Sequence, residues 1–269
     1  MKICRFQPLI AGSGTGKLTE EAQALSTPRY GLVEGEQVVG IRDAFHFEER
    51  TKEDWALNSV KLLSPCEPSK IVCVGRNFAE HAAEMGNNVP KEPLIFLKPP
   101  SAIIAPEEPI VMTPLSERVD YEGELAIVIA KKCSRLKASG DAASYVLGYT
   151  CLNDVTARDL QKKDVQFTRA KGFDTFCPFG PVIETKLDLG AATIETFVNR
   201  IRKQSARAAE MIFTVDVIIR WISQVMTLFP GDVISTGTPS GVGPLSAGDV
   251  VEVSVGGVGT LRNPVVAAG

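Results

Sequence analysis

The amino-acid sequence predicts an α+β protein that is mostly β. Short runs of β-branched and apolar residues recur along the chain between glycine- and proline-containing turns, as is typical of strands. Only one long segment, 214–228, places its apolar residues at helical spacing. Because helices do not alternate regularly with strands, the pattern argues against repeated βαβ units.

The predicted elements fall on either side of a proline-rich segment, 64–69. Before it, the segments 30–33 and 37–41 flank a glycine turn and predict a β-hairpin. After it, the sequence predicts strands at 71–74, 94–97, 145–152, 231–235, 249–255 and 258–262, and helical segments at 78–85, 156–163 and 214–228. We therefore expect a small N-terminal β-rich domain over residues 1–65 and a larger domain over 70–269.

The composition argues for a large core and against several classes of partner. Of 269 residues, 44% are hydrophobic, and no basic patch interleaved with aromatic residues suggests nucleic-acid binding. The apolar-leaning segment 213–229 is interrupted by Asp216 and Arg220, and the first residues carry no signal pattern, so we expect no membrane segment. Six cysteines without a C-x-x-C motif are expected to be buried free thiols of a cytoplasmic protein.

A glycine-rich stretch at 12–16, Gly-Ser-Gly-Thr-Gly, looks like a phosphate-binding loop at first. It lacks the full G-x-x-x-x-G-K-[ST] pattern, because Leu18 follows Lys17, and no hydrophobic strand precedes it. We expect a flexible loop in this stretch.

Three carboxylates are candidates for one metal site. Glu122 and Glu124 precede an apolar strand-like run, and residues two apart on a strand share a face. Asp154 follows another predicted strand, and an oxygen-only donor set suits Mg²⁺, Mn²⁺ or Ca²⁺ better than Zn²⁺. The alternatives are a solvated strand edge for the glutamates and a helix N-cap for Asp154.

Other candidates for catalysis are a histidine, a lysine and a glycine-rich loop. On a helix, Glu84 would lie beside His81, and a carboxylate next to an imidazole suits a general base. Lys171, beside aromatic residues, could meet an anionic substrate or an oxyanion, and the loop at 236–244 could approach a ligand. The alternatives are an ordinary surface pair, a surface lysine and a plain connecting loop.

Several motifs, in this order along the chain, closely resemble the fumarylacetoacetate hydrolase family. The resemblance spans about 195 residues, from Ile71 to Pro264, and the joint order of its motifs is specific. The motifs are Gly-Arg-Asn-Phe at 75–78, Lys-Pro-Pro-Ser at 98–101, Asp-Tyr-Glu-Gly-Glu-Leu at 120–125, Asn-Asp-Val-Thr-Ala-Arg-Asp-Leu-Gln at 153–161, Ala-Lys-Gly-Phe-Asp-Thr at 170–175 and Ser-Thr-Gly-Thr-Pro-Ser at 235–240.

The resemblance implies a mixed β-roll, usually a homodimer, with a divalent metal that is commonly Mg²⁺ and sometimes Mn²⁺ or Ca²⁺. It implies that 70–269 is the catalytic domain and that Glu122, Glu124 and Asp154 are the metal ligands. It likens His81 and Glu84 to a water-activating dyad. It assigns contacts with the substrate to further side chains, namely Arg76, Arg158, Gln161, Lys171 and Thr238. Two departures, Ala105 in place of glycine and the stretch 198–204 in place of an Asn-Gly hairpin, leave the substrate open.

The leading hypothesis for function is Mg²⁺-dependent hydrolysis of a carbon–carbon bond in a β-diketo acid, such as an acylpyruvate or fumarylpyruvate. The alternative is decarboxylation of oxaloacetate or a related 2-oxo diacid, or isomerase or lyase chemistry, at the same metal. A non-catalytic metal-binding protein belongs to a different class, and an absence of metal-dependent turnover of any 2-oxo acid would favour it. The sequence does not determine the acyl group of the substrate.

Overall fold

A computed structural model describes residues 1–9, 27–84, 86 and 88–269 of the chain. Within these ranges the protein is mostly β, with extended sheets and a few short helices, which confirms the predicted fold class. The glycine-rich stretch 12–16 lies outside the described residues. In the described ranges, every helix is too short or too polar to cross a bilayer.

The described ranges contain twenty strands, four α-helices and four single-turn 3₁₀-helices. The strands are β1 (Lys2–Pro8), β2 (Arg29–Glu34), β3 (Gln37–Ile41), β4 (Arg50–Ala56), β5 (Val60–Leu63), β6 (Ile71–Gly75), β7 (Leu94–Lys98), β8 (Ile103–Ile104), β9 (Ile110–Val111), β10 (Val119–Tyr121), β11 (Gly123–Ile129), β12 (Val146–Asn153), β13 (Thr156–Ala157), β14 (Cys177–Glu184), β15 (Thr193–Val198), β16 (Ile201–Arg207), β17 (Val233–Ser235), β18 (Gly243–Pro244), β19 (Val250–Val255) and β20 (Gly259–Val266). The α-helices are α1 (Ala79–Glu84), α2 (Arg158–Lys163), α3 (Thr168–Lys171) and α4 (Val215–Val225), and the 3₁₀-helices are Leu57–Ser59, Pro100–Ala102, Ala143–Tyr145 and Ala208–Glu210.

The largest sheet has twelve strands among the described residues. Ten of them run in the order β4-β3-β2-β1-β14-β12-β11-β17-β6-β7, while β5 pairs with β1 and β8 pairs with β14. The central strands β11 and β12 are antiparallel, and their register sets Gly123 opposite Asn153. This register brings the start of β11 and the end of β12, which carry the three candidate carboxylates, to one place.

The N-terminal strands belong to the same large sheet. Strand β1 pairs antiparallel with β14, with Lys2 opposite Glu184, and the predicted hairpin of β2 and β3 extends outward from β1. The amino group of Met1 donates a hydrogen bond to the Glu184 carboxylate at 2.7 Å. The hairpin is confirmed, and the division into domains at 65 and 70 stays a prediction.

Two smaller sheets and helix α4 complete the architecture. Five strands run in the order β16-β15-β19-β20-β9, and three run in the order β13-β10-β18. On α4, Ile218, Ile219 and Ile222 are fully buried in the same core cluster as Ile127 of β11. Burial contributes about 1.5–3 kcal/mol for each such side chain, so this face holds α4 on the sheet.

Two predicted helices have different ends because backbone pairing takes their terminal residues. The segment predicted as 214–228 leaves the helix after Val225, because Leu228 exchanges backbone hydrogen bonds of 2.8 and 2.9 Å with Cys133. The segment predicted as 156–163 begins as strand β13, which pairs with β10, so helix α2 starts only at Arg158. The six cysteines are all buried and unpaired, as expected.

The hairpin between β15 and β16 contains backbone strain. Its two turn residues, Asn199 and Arg200, both have positive φ, at 51° and 67°. A two-residue hairpin turn favours asparagine then glycine at these positions, because glycine has no Cβ to clash in the left-handed region. The stretch 198–204, which departs from the Asn-Gly pattern in sequence, therefore still forms a tight hairpin, with arginine where glycine is preferred.

We expect Arg200→Gly to stabilise the protein slightly. Relief of the left-handed strain should raise the free energy of unfolding by about 1–2 kcal/mol. The greater freedom of glycine in the unfolded chain should lower it by about 0.5–1 kcal/mol. The expected net change is therefore a free energy of unfolding raised by about 0.5 kcal/mol, measured by urea denaturation.

The matched control is Lys203→Gly, three residues further along the exposed part of β16. Its backbone lies outside the left-handed region, so the same loss of a long cationic side chain should lower stability by about 0.5–1 kcal/mol. Equal destabilisation by both substitutions would contradict the strain at Arg200.

Candidate active site

The three candidate carboxylates converge in the structure. One oxygen from each of Glu122, Glu124 and Asp154 lies within 4.8 Å of the others. Glu122 occupies the junction of β10 and β11, Glu124 lies in β11, and Asp154 follows β12. The Asp154 amide donates to the Glu122 carbonyl at 2.8 Å, which fixes the two segments together.

The alternative interpretations of these three residues are wrong. All are buried, with Glu122 the most exposed at 5%, so the glutamates do not lie on a solvated strand edge. Asp154 is not a helix cap either, because the N-cap position of α2 is Ala157. Lys171 is 1% exposed and is therefore not a surface lysine.

Buried cations neutralise the carboxylates. Lys171 Nζ donates to Glu122 Oε2 at 2.8 Å and to Asp154 Oδ2 at 2.6 Å. Lys98 Nζ donates to the other Asp154 oxygen at 2.7 Å, and Arg158 pairs with Glu122. Breaking a buried pair of this kind costs about 3–5 kcal/mol, because it leaves an uncompensated charge. The three cations reach the carboxylates from three separate segments of the chain, on β7, α2 and α3.

The electrostatic environments of the two glutamates differ. Burial alone would raise the pKa of Glu122, but the Lys171 and Arg158 cations outweigh it and hold that pKa well below its usual range. Burial raises the pKa of Glu124 well above its usual range, and the negative charges of Asp154 and Glu122 raise it further. Within the cluster, positive charge is therefore lacking beside Glu124 and not beside Glu122.

The donor set fits a hard divalent cation. It consists of carboxylate oxygens, without cysteine or histidine among the three ligand residues, and these oxygens converge where positive charge is lacking. Three carboxylate side chains leave part of an octahedral coordination sphere for other ligands. The cluster is therefore a possible divalent metal site, and the residues present match that role chemically.

The loop after β17 holds Glu124 from the other side. Gly237 donates its amide to Glu124 Oε2 at 2.7 Å, and Ser235 donates its hydroxyl to the same oxygen. The Thr238 hydroxyl donates to the Gly123 carbonyl at 2.9 Å and accepts from Gln204 Nε2 at 2.8 Å. This hydroxyl can therefore only accept a further hydrogen bond, from a hydroxyl or water and not from a carboxylate.

A cavity of about 290 Å³ opens above the carboxylates. The predicted site residues all line it, except Glu84. His81 is 6% exposed, and its Nδ1 lies 3.3 Å from Glu84 Oε2, so the pair is not an ordinary surface pair. Glu84 also accepts the Gly241 amide at 3.1 and 3.2 Å, which ties α1 to the loop after β17.

Three residues of the site have no signal in the sequence that identifies their role. Lys98 stands in a motif of the family resemblance, but only the fold shows that it holds Asp154. Gln204 comes from the five-stranded sheet and accepts the Gly123 amide at 3.0 Å. Lys162 follows the predicted Gln161 and also lines the cavity.

The sequence matches two known protein families. Residues 70–266 match the family described as fumarylacetoacetate (FAA) hydrolase, C-terminal, and this match covers every residue of the cavity. The chain belongs to the fumarylacetoacetate hydrolase family. Residues 23–65 match the family described as Rv2993c-like, N-terminal.

Relatives within the fumarylacetoacetate hydrolase family bear several kinds of name. Protein Rv2993c of Mycobacterium tuberculosis is 51% identical over 81% of this chain and 83% of its own length. Oxaloacetate tautomerase YisK of Bacillus subtilis is 41% identical over 78% and 75%. Among solved structures, 5-carboxymethyl-2-hydroxymuconate delta-isomerase from Mycobacterium smegmatis is 41% identical (TM-score 0.87), and fumarylacetoacetate hydrolase from Exiguobacterium antarcticum is 36% identical (TM-score 0.82); each covers 100% of both chains.

We expect Gly123→Ala to distort the candidate metal site formed by the three carboxylates. A Cβ at this glycine would lie 1.9 Å from Thr196 Oγ1, and it would force apart the segment that joins Glu122 to Glu124. The expected result is Mg²⁺ affinity lowered by about tenfold or more, equivalent to about 1.4 kcal/mol, measured by calorimetric titration.

Thr196→Ala supplies the matched control and the rescue. Thr196 Oγ1 is buried, and it has no hydrogen-bond partner in the described part of the chain, so its loss alone should change little. In the double variant the clash is removed, and Mg²⁺ affinity should partly recover. Additive effects of the two substitutions would show that this contact does not carry the distortion.

Proposed function

We propose that this protein catalyses metal-dependent proton transfer at the carbon next to the keto group of a 2-oxo acid, interconverting its keto and enol forms. One observation carries the proposal: a buried histidine with a carboxylate partner lines the same small cavity as the three converging acids. Two relatives at 41% identity, one named an oxaloacetate tautomerase and one an isomerase, support this class of reaction.

Glu122, Glu124 and Asp154 would hold the metal in this proposal, with Mg²⁺ as the first candidate and Mn²⁺ or Ca²⁺ as alternatives. A divalent cation bound there supplies Lewis-acid stabilisation of negative charge on the oxygens of a 2-oxo acid. Lys98 and Lys171 fix both oxygens of Asp154 in place. The cluster is therefore organised before a ligand arrives, which avoids reorganisation during the reaction.

His81 acts as the proton carrier in this proposal. Its Nδ1 faces Glu84, and Nε2 has no partner among the described residues, so Nε2 is the nitrogen that takes a proton from carbon and returns it. Lys171 uses two of its three N–H donors on Glu122 and Asp154, which leaves one for a substrate oxygen. Gln161 accepts from Arg158 through Oε1 at 2.6 Å, and its amide nitrogen, which has no partner in the described ranges, can donate into the cavity.

We expect His81→Ala to abolish most of the proton transfer while metal binding persists. General acid–base catalysis contributes about 10²–10⁴-fold, so deuterium exchange at C3 of oxaloacetate or pyruvate, followed by NMR in D₂O with Mg²⁺, should slow by at least about 100-fold. His46→Ala is the control, because the other histidine is exposed and pairs with Asp43. An unchanged rate of deuterium exchange in His81→Ala would contradict the assignment of His81 as the base.

We also expect Mg²⁺ to stabilise the folded protein through the acidic cluster. At 100 times its Kd, a ligand that binds only the folded state adds about 2.7 kcal/mol to the free energy of unfolding. Urea denaturation in Mg²⁺ and in EDTA should show this difference for the wild type and for the exposed control Glu36→Gln, and much less of it for Glu124→Gln. Equal responses in all three proteins would remove the cluster from consideration as the metal site.

Hydrolysis of a carbon–carbon bond in an acylpyruvate is a second candidate function. The same free Nε2 of His81 could take a proton from water, and a relative at 36% identity is named fumarylacetoacetate hydrolase. Acetylpyruvate separates the two functions, because hydrolysis releases acetate and pyruvate whereas tautomerisation leaves the carbon skeleton intact. Release of CO₂ from oxaloacetate would instead indicate decarboxylation.

Three broader expectations accompany this proposal. We propose a homodimer, a cytoplasmic location, and a catalytic unit over 70–269 preceded by a small unit over 1–65. These follow from the family resemblance, the free thiols and the proline-rich segment at 64–69, and the matched family ranges are compatible with the boundary.

A further inference from the structure

One side chain of the exposed strand β16 reaches the segment that carries the acidic cluster. In the described part of the chain, β16 is an edge strand of the five-stranded sheet. Among its seven described residues, Gln204 alone is buried, with 1% of its surface exposed, and its neighbours Lys203 and Ser205 are exposed. Burial of a polar side chain is unfavourable unless its hydrogen bonds are made inside the protein. The partners of Gln204 therefore indicate what it does.

The side-chain amide of Gln204 joins two separate segments of the chain. Its Oε1 accepts the Gly123 amide at 3.0 Å, and its Nε2 donates to Thr238 Oγ1 and to the Pro239 carbonyl, both at 2.8 Å. A backbone N–H only donates and a carbonyl only accepts, so these partners determine which end of the amide faces which segment. A single orientation of the side chain satisfies all three hydrogen bonds.

Gly123 is the point of contact on the acidic segment, where it separates Glu122 from Glu124. A Cβ at this glycine would lie 3.3 Å from Gln204 Oε1 and 1.9 Å from Thr196 Oγ1, so the close approach requires glycine. Thr196 is the cross-strand neighbour of Gln204 on β15. The five-stranded sheet thus lies against the backbone between two of the three carboxylates, and Gln204 bonds that backbone.

The other end of the Gln204 amide holds the middle of the loop after β17. Its two partners there, Thr238 and Pro239, lie between the glycine that bonds Glu124 and the glycine that bonds Glu84. The same side chain therefore bonds the backbone of the acidic segment and the loop that holds the partner of the proposed base.

A second contact between β16 and this loop involves only the backbone. A Cβ at Gly241 would lie 2.2 Å from the Lys203 carbonyl oxygen, and Gly241 has a φ of 96°, which favours glycine. The residue that precedes Gln204 therefore lies against the loop at the amide that bonds Glu84. Two adjacent residues of β16 thus set the position of the loop.

We propose that Gln204 is a positioning residue, which keeps the acidic cluster and the His81–Glu84 pair in the relative geometry that proton transfer requires. This inference rests on the proposed function, because that reaction needs a base aligned with a ligand at the cluster. Gln204 is not among the described residues that line the cavity. It acts through the Gly123 backbone on one side and through the loop after β17 on the other, without touching the substrate.

The first test is Gln204→Met, which keeps the length of the side chain and removes its three hydrogen bonds. With saturating Mg²⁺, kcat for deuterium exchange at C3 of oxaloacetate should fall by about tenfold or more, because misplacement by about 1 Å can lower a rate by about 100-fold. KM should rise by less than about threefold, since the reacting groups themselves stay in place. An unchanged kcat would overturn the proposal.

Gln204→Glu keeps the test decisive if Gln204→Met does not fold. The glutamate has the same shape and keeps an acceptor for the Gly123 amide, but its carboxylate cannot donate to the Pro239 carbonyl. Its kcat should fall by about tenfold as well, because the loop loses its donor. A wild-type kcat in folded Gln204→Glu would contradict the role of the loop contact.

Two control variants separate positioning from a loss of stability. Ile194→Val removes one buried methyl group from β15, in the same sheet as Gln204. Gln224→Met makes the same substitution at an exposed glutamine of α4, which donates to the Leu136 carbonyl. Both controls should keep the wild-type kcat, with folding checked by urea denaturation. A fall in kcat in these controls equal to that in Gln204→Met would reduce the role of Gln204 to stability and contradict the proposal.

The imidazole signals of the protein give a readout that needs no substrate. The chain has two histidines, and His46 is exposed and pairs with Asp43, so it serves as an internal reference for His81. In protein labelled with ¹⁵N-histidine, Gln204→Met should shift the NMR signals of the His81 ring nitrogens by more than their line width, because Glu84 moves with the loop. The His46 signals, and both histidines in the two controls, should stay unchanged. Unchanged His81 signals in Gln204→Met would contradict the proposal.

The two readouts also separate this inference from the proposed function. If the His81 signals move in Gln204→Met but the wild type exchanges no 2-oxo acid, the proposed function fails and the coupling through Gln204 stands. If the wild type exchanges oxaloacetate and Gln204→Met matches it in kcat and in the His81 signals, the proposed function stands and the positioning role fails.

Discussion

The balance of charge around Asp154 is the constraint on which the rest of the site depends. Its two oxygens are held by Lys98 and Lys171, and Lys171 also reaches Glu122, so one buried network joins β7, the β10–β11 junction and α3. Buried charges persist only when they are paired and hydrogen-bonded. The strands that carry them must therefore meet in one register, and the chemistry of the site and the topology of the large sheet are fixed by the same contacts.

Much of the fold and of the site could be predicted from the sequence, where the signal is local. The two-residue spacing of Glu122 and Glu124 indicates a shared face, and the burial of both agrees with the prediction of a strand entering a core. Lys98 and Gln204 could not be assigned, because their partners lie 56 and 81 residues away and depend on sheet register. The helix predicted to start at 156 starts only at Arg158 for a similar reason, because pairing of β13 with β10 overrides the local helical composition.

The acidic cluster is compatible with several reactions. This agrees with the names of relatives at similar identity, which include a tautomerase, an isomerase and a hydrolase. The proposed function needs stabilised negative charge on a 2-oxo acid, and the three carboxylates that would hold the metal for it lie on or beside the strands β10, β11 and β12. What differs between reactions is the group that moves a proton and the shape of the space above it. Those features come from α1, α2 and the segment at Arg76. These segments are attached to the sheet, but the sheet does not determine which side chains they present.

The base and the acidic cluster are not independent, because one loop holds both. Gly237 donates its amide to Glu124, and four residues later Gly241 donates its amide to Glu84, the partner of His81. Asn77 bonds the Thr236 carbonyl at the start of the same loop, only four residues before His81. A shift of this loop would therefore move Glu124 and the His81–Glu84 pair together. Shared backbone contacts preserve their relative geometry, so helix α1 can hold the proposed base in alignment with the buried acidic cluster.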